Sequence, residues 1–164
     1  MTFDLSIVKE ILNKEKINLV LGYSQGLNCY TSRPAIFKSE NELDDLIFNY
    51  FCNHNLATYL LELINESRGN REYNEPIAVL VKPCDGKSLV ELIRENKINR
   101  EEIAIFSLPC KGIIDVNKIN SLKQRDTESI DRIEIFDNKV KINFPNRTVE
   151  VEISELFTNR CLEC

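Results

Sequence analysis

The first forty residues mix one helical hydrophobic pattern with two short extended ones. Apolar residues three and four positions apart predict a helix over residues 4–15, and residues 17–21 follow as a short strand that ends at Gly22. Residues 23–34 contain the glycine, asparagine and proline that are typical of a loop. Residues 35–37 then predict a second short strand.

Two further helices are predicted before a polar segment. Ser39 is a suitable N-cap for a helix that carries Leu43 and Leu46 on its apolar face. Another helical pattern extends over about residues 53–64. Residues 65–75 are polar and predict an exposed loop.

The clearest pattern in the chain is a strand, a helix and a second strand over residues 77–107. The runs 77–81 and 103–107 are apolar, and residues 85–95 between them carry apolar side chains at helical spacing. This order predicts a βαβ unit, in which the two strands lie parallel and the crossover is right-handed.

The last third of the chain predicts antiparallel strands. Residues 132–136 and 139–144 alternate apolar and polar positions around Asp137 and Asn138, which favours a β-hairpin. Residues 149–153 add a third strand, and a short helix or tail begins at Ser154.

These patterns together predict one α/β domain over residues 1–164. We expect a short parallel sheet with a βαβ crossover, helices on the faces of the sheet, and an appended C-terminal β-hairpin, followed by a C-terminal CxxC tail. A chain of 164 residues is long enough to form a core without disulfides or a metal.

Composition excludes some classes of partner. The net charge is −5, and the chain contains no block of basic residues, which argues against nucleic acid or an anionic membrane as the main partner. The apolar runs are too short for membrane insertion, and the N-terminus does not resemble a secretion signal. We therefore expect a cytoplasmic protein whose six cysteines are ligands, reactive thiols or core residues rather than disulfides.

Two of the cysteines follow a proline just beyond a predicted strand. Cys84 comes after the strand 77–81, and Cys110 comes after the strand 103–107. Parallel strands end at the same edge of a sheet, about 4.8 Å apart when they are neighbours, so both thiols are expected at one edge. Asp85 is a candidate N-cap that places Cys84 at the positive end of a helix, where a thiolate is favoured. The bordering residue Lys82 is expected to be solvated.

The chain ends in a second cysteine pattern, Cys161-x-x-Cys164, which is a chelating spacing in zinc and iron–sulfur sites. Our hypothesis is that Cys84, Cys110, Cys161 and Cys164 bind a 4Fe–4S cluster, with Cys52 as the reserve ligand.

Three alternatives stay open on the same residues. A Cys₄ zinc site would make the chain a structural or assembly subunit. A thiol-reactive enzyme would use Cys84 at the start of its helix. Finally, Cys84 and Cys110 could be small buried residues without a ligand.

The stretch VKPCDGKSLVELIRENKINREEIAIFSLPCKGIID resembles the iron–sulfur and flavin beta subunits of coenzyme F420-reducing hydrogenases and dehydrogenases. The resemblance is strongest to members that accompany formate dehydrogenase and heterodisulfide reductase. The segments VLGYSQG, TSRPAIF and NYFCNHNLATYLLEL are also similar, so the likeness covers about residues 17–115 and returns at CLEC. Its most specific elements are Pro-Cys-Asp and Leu-Pro-Cys-x-Gly.

The resemblance implies an iron–sulfur electron-transfer module in a multi-subunit oxidoreductase complex of the hydrogenase, formate dehydrogenase or heterodisulfide reductase type. The chain would then be a non-catalytic or accessory subunit in anaerobic metabolism, with other redox subunits as partners and a flavin nearby. Longer members of the family continue past a CxxC into a cysteine-rich, ferredoxin-like section, whereas this sequence stops at Cys164. No flavin-binding motif is recognisable within it.

Overall fold

The computed structural model describes residues 10, 19–39, 41–69 and 76–164. Within these ranges, seven strands form two sheets and five α-helices accompany them. The strands are β1 (Val20–Gln25), β2 (Ser32–Phe37), β3 (Ile77–Val81), β4 (Ile103–Ser107), β5 (Arg132–Phe136), β6 (Lys139–Phe144) and β7 (Arg147–Glu152). The helices are α1 (Leu56–Gly69), α2 (Pro83–Arg94), α3 (Val116–Asn120), α4 (Ile153–Leu156) and α5 (Asn159–Leu162). Two 3₁₀ helices span Asn41–Asp45 and Arg100–Glu102.

The first sheet has the strand order β2-β1-β3-β4. Strand β3 pairs in parallel with both β1 and β4, and β2 pairs antiparallel with β1. The predicted βαβ unit is therefore confirmed, with α2 as its crossover helix. The α/β fold class is also confirmed, although the sheet is mixed rather than wholly parallel.

Strand β3 is buried on both faces, which is why its five residues are all apolar. Val79 and Val81 pack on one face against Leu60 of α1 and Leu89 of α2. The opposite face carries Ala78 and Leu80 in a separate cluster. That cluster is completed by Val20, Phe37, Leu43 and Leu46.

The prediction that a strand ends at Gly22 is wrong, because β1 continues through Gly22 to Gln25. A Cβ atom at this position would overlap Leu46 Cδ1 and lie 3.4 Å from a ring carbon of Phe37. Gly22 thus gives room for core packing and does not break the strand. The predicted loop 23–34 is also shorter in the structure, because β1 extends to Gln25 and β2 begins at Ser32.

Helix boundaries also differ from the prediction. The helix expected after Ser39 is only the 3₁₀ helix Asn41–Asp45. Helix α1 begins at Leu56 and continues to Gly69, through part of the predicted loop. The helix predicted over residues 4–15 lies outside the described residues, apart from a helical residue 10, and so do residues 70–75.

The second sheet has the order β5-β6-β7 and is antiparallel throughout. The predicted hairpin and third strand are confirmed, with Asp137 in the turn at a positive φ of 51°. The central strand β6 buries Val140, Ile142 and Phe144 in a cluster that also contains Ile114. This sheet therefore has a core distinct from the two clusters of the first sheet, and Tyr30 and Phe51 from the first half of the chain also pack in it.

Across the part of the chain that the structure covers, no helix has the length and apolar character needed to cross a membrane.

The packing at Gly22 can be tested with a single methyl group. Gly22→Ala should lower the free energy of unfolding by about 1–3 kcal/mol, because the added Cβ forces Leu46 to move in a close-packed core. Urea unfolding monitored by circular dichroism measures the change. Gly86→Ala is the matched control, since its Cβ would come no nearer than 3.9 Å to Val81 Cγ2 and alanine favours the helix by about 1 kcal/mol. Equal losses in both variants would contradict the packing explanation.

Candidate functional site

The parallel pairing of β3 and β4 positions the first two cysteines. The pairing ends at Val81 and Ser107, and the Leu108 N–H extends it by donating to the Val81 carbonyl at 3.0 Å. Cys84 and Cys110 follow at the same edge of the sheet, as predicted from the order of the strands.

The two strand ends and the C-terminal tail enclose an open cleft of about 780 Å³. Cys84, Cys110, Cys161 and Cys164 all line it. Most of the other residues that line it are of polar or charged type and include Asn53, Asn55, Lys82, Asp85, Ser88, Lys111, Asp115 and Arg160. The four cysteines singled out in the sequence therefore share one concave surface, although they come from three separate segments.

Main-chain hydrogen bonds attach the tail to the loop that follows Cys110. The Asp115 N–H donates to the Leu156 carbonyl at 2.8 Å, and the Thr158 N–H donates to the Ile113 carbonyl at 2.9 Å. Between them, Ile114 and Phe157 form an antiparallel bridge. The tail residues Cys161 and Cys164 are thus brought to the cleft by backbone pairing as well as by side-chain packing.

The sulfurs of Cys110 and Cys161 accept hydrogen bonds from the loop and the tail. The Ile113 N–H and the Thr158 hydroxyl donate to Cys161 Sγ at 3.3 and 3.1 Å. Burial raises the pKa of the Cys110 thiol, the Gly112 N–H that donates to its sulfur lowers it, and Cys161 raises it. Donors of this kind stabilise thiolates and tune metal centres.

Gly112 is required for the turn after Cys110. Its φ is +120°, a region that residues with a Cβ rarely adopt. A Cβ at this position would lie 2.7 Å from two ring carbons of Phe157, the residue that stacks on Tyr50. The Pro-Cys-x-Gly sequence therefore combines a backbone donor for the sulfur with close approach of the tail.

The start of α2 differs from the prediction. The helix begins at Pro83 with Lys82 as its N-cap, and Asp85 lies in the first turn, so Asp85 is not the cap. Partial burial raises the pKa of the Cys84 thiol, the Asp85 carboxylate raises it further, and the Lys82 ammonium lowers it. Burial and the Asp85 carboxylate raise this pKa more than the Lys82 ammonium and the Asp85 N–H at the start of the helix lower it, which is opposite to the direction expected from the sequence.

Sequence reasoning missed a buried polar group below the cleft. Lys82, predicted to be solvated, is only 3% exposed and forms an ion pair with Asp85 at 2.8 Å. Its ammonium also donates to the Tyr23 hydroxyl and, at 2.7 Å, to the His54 carbonyl. Burial and the neighbouring Asp85 raise the pKa of Tyr23 far above its usual range, so the phenol is neutral. The signal in the sequence that could have indicated this burial was the position of Lys82, directly after the fully apolar strand β3.

The other two cysteines lie elsewhere. Cys52, the reserve ligand, is fully buried in the first core, and its sulfur accepts from the Asn49 N–H at 3.4 Å. It does not belong to the lining of the cleft. Cys29 is exposed in the turn between β1 and β2.

Among the residues that the structure describes, no group of three or more Cys, His, Asp or Glu side chains has the arrangement of a metal site. The four cysteines share a cleft, and their ligation of a metal stays a prediction.

The direction of the two pKa shifts predicts slow alkylation. Since only the thiolate reacts, Cys84 and Cys110 of the metal-free protein should react with iodoacetamide at pH 7 more slowly than N-acetylcysteine does. Their rates should rise with pH, with midpoints above that of the free thiol. Peptide mapping by mass spectrometry over a pH series measures both sites at once. Unusually fast alkylation of Cys84 near neutral pH would instead support the thiol-enzyme interpretation.

The attachment of the tail can be tested at Gly112. Gly112→Ala should cost about 1–3 kcal/mol of stability, because it adds both backbone strain and overlap with Phe157. Amide hydrogen exchange should accelerate at Asp115 and Thr158, whose N–H groups pair the loop with the tail. Gly86→Ala again supplies the control. Unchanged exchange at both amides would show that Gly112 does not hold the tail in place.

Comparisons with known proteins identify two similar curated proteins. The F420-dependent formate dehydrogenase subunit beta of Methanocaldococcus jannaschii is 28% identical over 109 residues, which are 66% of this chain and 27% of that protein. The F420-dependent formate dehydrogenase 1 subunit beta of Methanococcus maripaludis is 26% identical over 110 residues, or 66% of this chain and 26% of that protein. The chain thus spans about a quarter of the length of these relatives. No family model matches it.

A solved structure shows the same fold. One chain of the F420-reducing NiFe hydrogenase complex from Methanosarcina barkeri, in a xenon-derivatised form, superimposes with a TM-score of 0.63 at 14% identity. The match covers 96% of this chain and 57% of that one. The curated relatives confirm the resemblance to beta subunits of F420-dependent dehydrogenases, and the chain shares its fold with a chain of an F420-reducing hydrogenase complex.

Proposed function

We propose that this chain is an iron–sulfur electron-transfer module of a multi-subunit oxidoreductase complex. In this proposal Cys84, Cys110, Cys161 and Cys164 are the ligands of a 4Fe–4S cluster. The observation that carries the proposal is that all four residues, from three distant segments, line the same cleft. The names of the relatives support the redox assignment, since both are beta subunits of F420-dependent formate dehydrogenases.

The chemistry of the cleft suits such a cluster. A 4Fe–4S cluster is held by four cysteine thiolates, and its potential depends on hydrogen bonds to sulfur and on exposure to solvent. The cleft offers four thiols, and N–H donors already contact the sulfurs of Cys110 and Cys161. Its volume of about 780 Å³ also leaves room beside the sulfurs.

Each segment has a separate task in this proposal. A bound cluster would supply a one-electron carrier. The turn at Gly112 orients the sulfur of Cys110, and the Thr158 hydroxyl orients that of Cys161. All four thiols give up their protons on ligation, so binding becomes stronger as pH rises. Cys84 and Cys164 are exposed, so a partner's redox centre would approach the cluster from the open side of the cleft.

The larger complex would be of the hydrogenase, formate dehydrogenase or heterodisulfide reductase type. Because the chain spans only about a quarter of its curated relatives, the complete reaction is assigned to the complex and not to this chain alone. Its role is then that of an accessory subunit, with other redox subunits as partners, and we place any flavin near the cleft.

The cofactor can be identified by metal analysis of protein purified without oxygen. We expect brown protein with absorbance near 400 nm and about four irons per chain, as a cluster with four thiolates requires. Colourless protein with about one zinc per chain would instead show the structural Cys₄ alternative. Absence of both metals after anaerobic reconstitution would contradict every metal assignment made on these four thiols.

The ligand set makes a separate prediction. Cys110→Ser should lose most of the iron and the absorbance near 400 nm, because one of four thiolates is missing. Cys29→Ser is the matched control, since Cys29 is an exposed thiol that does not line the cleft, and it should keep the full metal content. Full iron content in Cys110→Ser would show that the ligand set is wrong even if the cofactor is right. Loss of iron in Cys52→Ala, with normal folding, would point to the reserve ligand.

A further inference from the structure

The floor of the cleft contains a buried ion pair next to a candidate ligand. Lys82 and Asp85 line the cleft, yet their side chains are only 3% and 2% exposed. They flank Cys84 in the chain, one at the cap of α2 and the other in its first turn.

All the donors of Lys82 are used. An ammonium group has three N–H donors, and here they meet the Asp85 carboxylate, the Tyr23 hydroxyl and the His54 carbonyl. The Tyr23 hydroxyl in turn donates to the His54 carbonyl at 2.5 Å and lies 3.3 Å from Asp85 Oδ2. The cation is thereby fixed in one position by groups from β1, from the segment before α1 and from α2.

The Asp85 carboxylate bridges this cation and the cysteine. Its Oδ2 atom lies 2.8 Å from Lys82 Nζ, and its Oδ1 atom lies 3.7 Å from Cys84 Sγ. A thiol at Cys84 can donate to Oδ1. A thiolate there would face a negative oxygen at the same distance, with the compensating ammonium bound to the other oxygen of the carboxylate.

Stability alone is a weak explanation for this arrangement. Burial of an ion pair costs several kcal/mol of desolvation per ion, and well-packed apolar residues often serve equally well. The pair instead has a geometric relation to the Cys84 sulfur, and because its two charges are buried, solvent screens them less than it screens exposed charges.

We propose that the Lys82–Asp85 pair sets the electrostatic field at Cys84 and thereby the reduction potential of the cluster. This inference rests on the function proposed above, because it requires Cys84 to be a cluster ligand. The Asp85 carboxylate lowers the reduction potential because it repels the added electron, and the Lys82 ammonium raises it because it attracts that electron. The intact pair therefore keeps the potential between the values that either charge alone would give. Cluster potentials respond to nearby charge and to solvent exposure in this way.

Other charges of the cleft are less suited to this role. Lys111 and Arg160 are exposed, and Asp115 is half-buried. Exposed charges are screened by water and salt, whereas a buried pair is screened much less. Lys111 therefore serves as a control position.

The test is a potentiometric titration of the anaerobically reconstituted full chain, followed by electron paramagnetic resonance of the reduced cluster. Asp85→Asn should raise the midpoint potential, because it leaves the buried ammonium uncompensated. Lys82→Met should lower it, because it leaves the carboxylate uncompensated. The double variant Lys82→Met/Asp85→Asn should return toward the wild-type value. A merely structural role would not produce shifts of opposite sign.

Lys82→Met alone could fail to fold, since it leaves a buried carboxylate unpaired. In that case the effect of Lys82 is measured by comparing Asp85→Asn with the double variant. The two differ only in the ammonium, and its removal should lower the potential. Lys111→Met should shift the potential less than either buried substitution.

The outcomes separate the two proposals. Normal iron content with shifts of the same sign, or with none, overturns the role of the pair and leaves the iron–sulfur function standing. Wild-type protein that binds no iron overturns the proposed function, and this inference fails with it.

Discussion

The parallel register of β3 and β4 is the constraint on which the rest of the site depends. Five residue pairs, from Ile77 with Ile103 to Val81 with Ser107, align the two strands so that they end together. The residues beyond those ends, including two proline-preceded cysteines, consequently emerge at one edge. The tail completes the cleft by pairing its backbone with the loop after Cys110. The fully apolar β3, buried between two clusters, stabilises the register from both faces.

Much of the fold could be predicted because its strongest patterns are local. The uninterrupted apolar run of β3 and the alternation of β6 each specify a strand without reference to any partner. Gly22 misled the prediction because a glycine that makes room for a distant side chain looks the same in sequence as one that breaks a strand. The 3₁₀ helix near Leu43 shows a similar effect, since apolar spacing does not specify the number of helical turns.

The candidate site divides in the same way. Strand ends at a common edge follow from topology, so the shared position of Cys84 and Cys110 could be anticipated, and the CxxC spacing identified the tail. The environment of Lys82 could not be anticipated, because its partners Tyr23 and His54 lie 59 and 28 positions away along the chain. Local polarity predicts a solvated lysine, and only the folded sheet brings the phenol and the carbonyl close enough to satisfy a buried ammonium.

The bridge between Ile114 and Phe157 has a consequence for the order in which the protein assembles. It joins segments 43 residues apart, and the second sheet is formed entirely from the chain between them. Closing so long a loop carries an entropic cost that early local structure cannot offset. Because Ile114 and Phe157 also pack in the core of the second sheet, we expect the bridge and the concave surface to form together with that core, after the local pairing of β5, β6 and β7. Until then the thiols of the tail stay apart from those at the sheet edge.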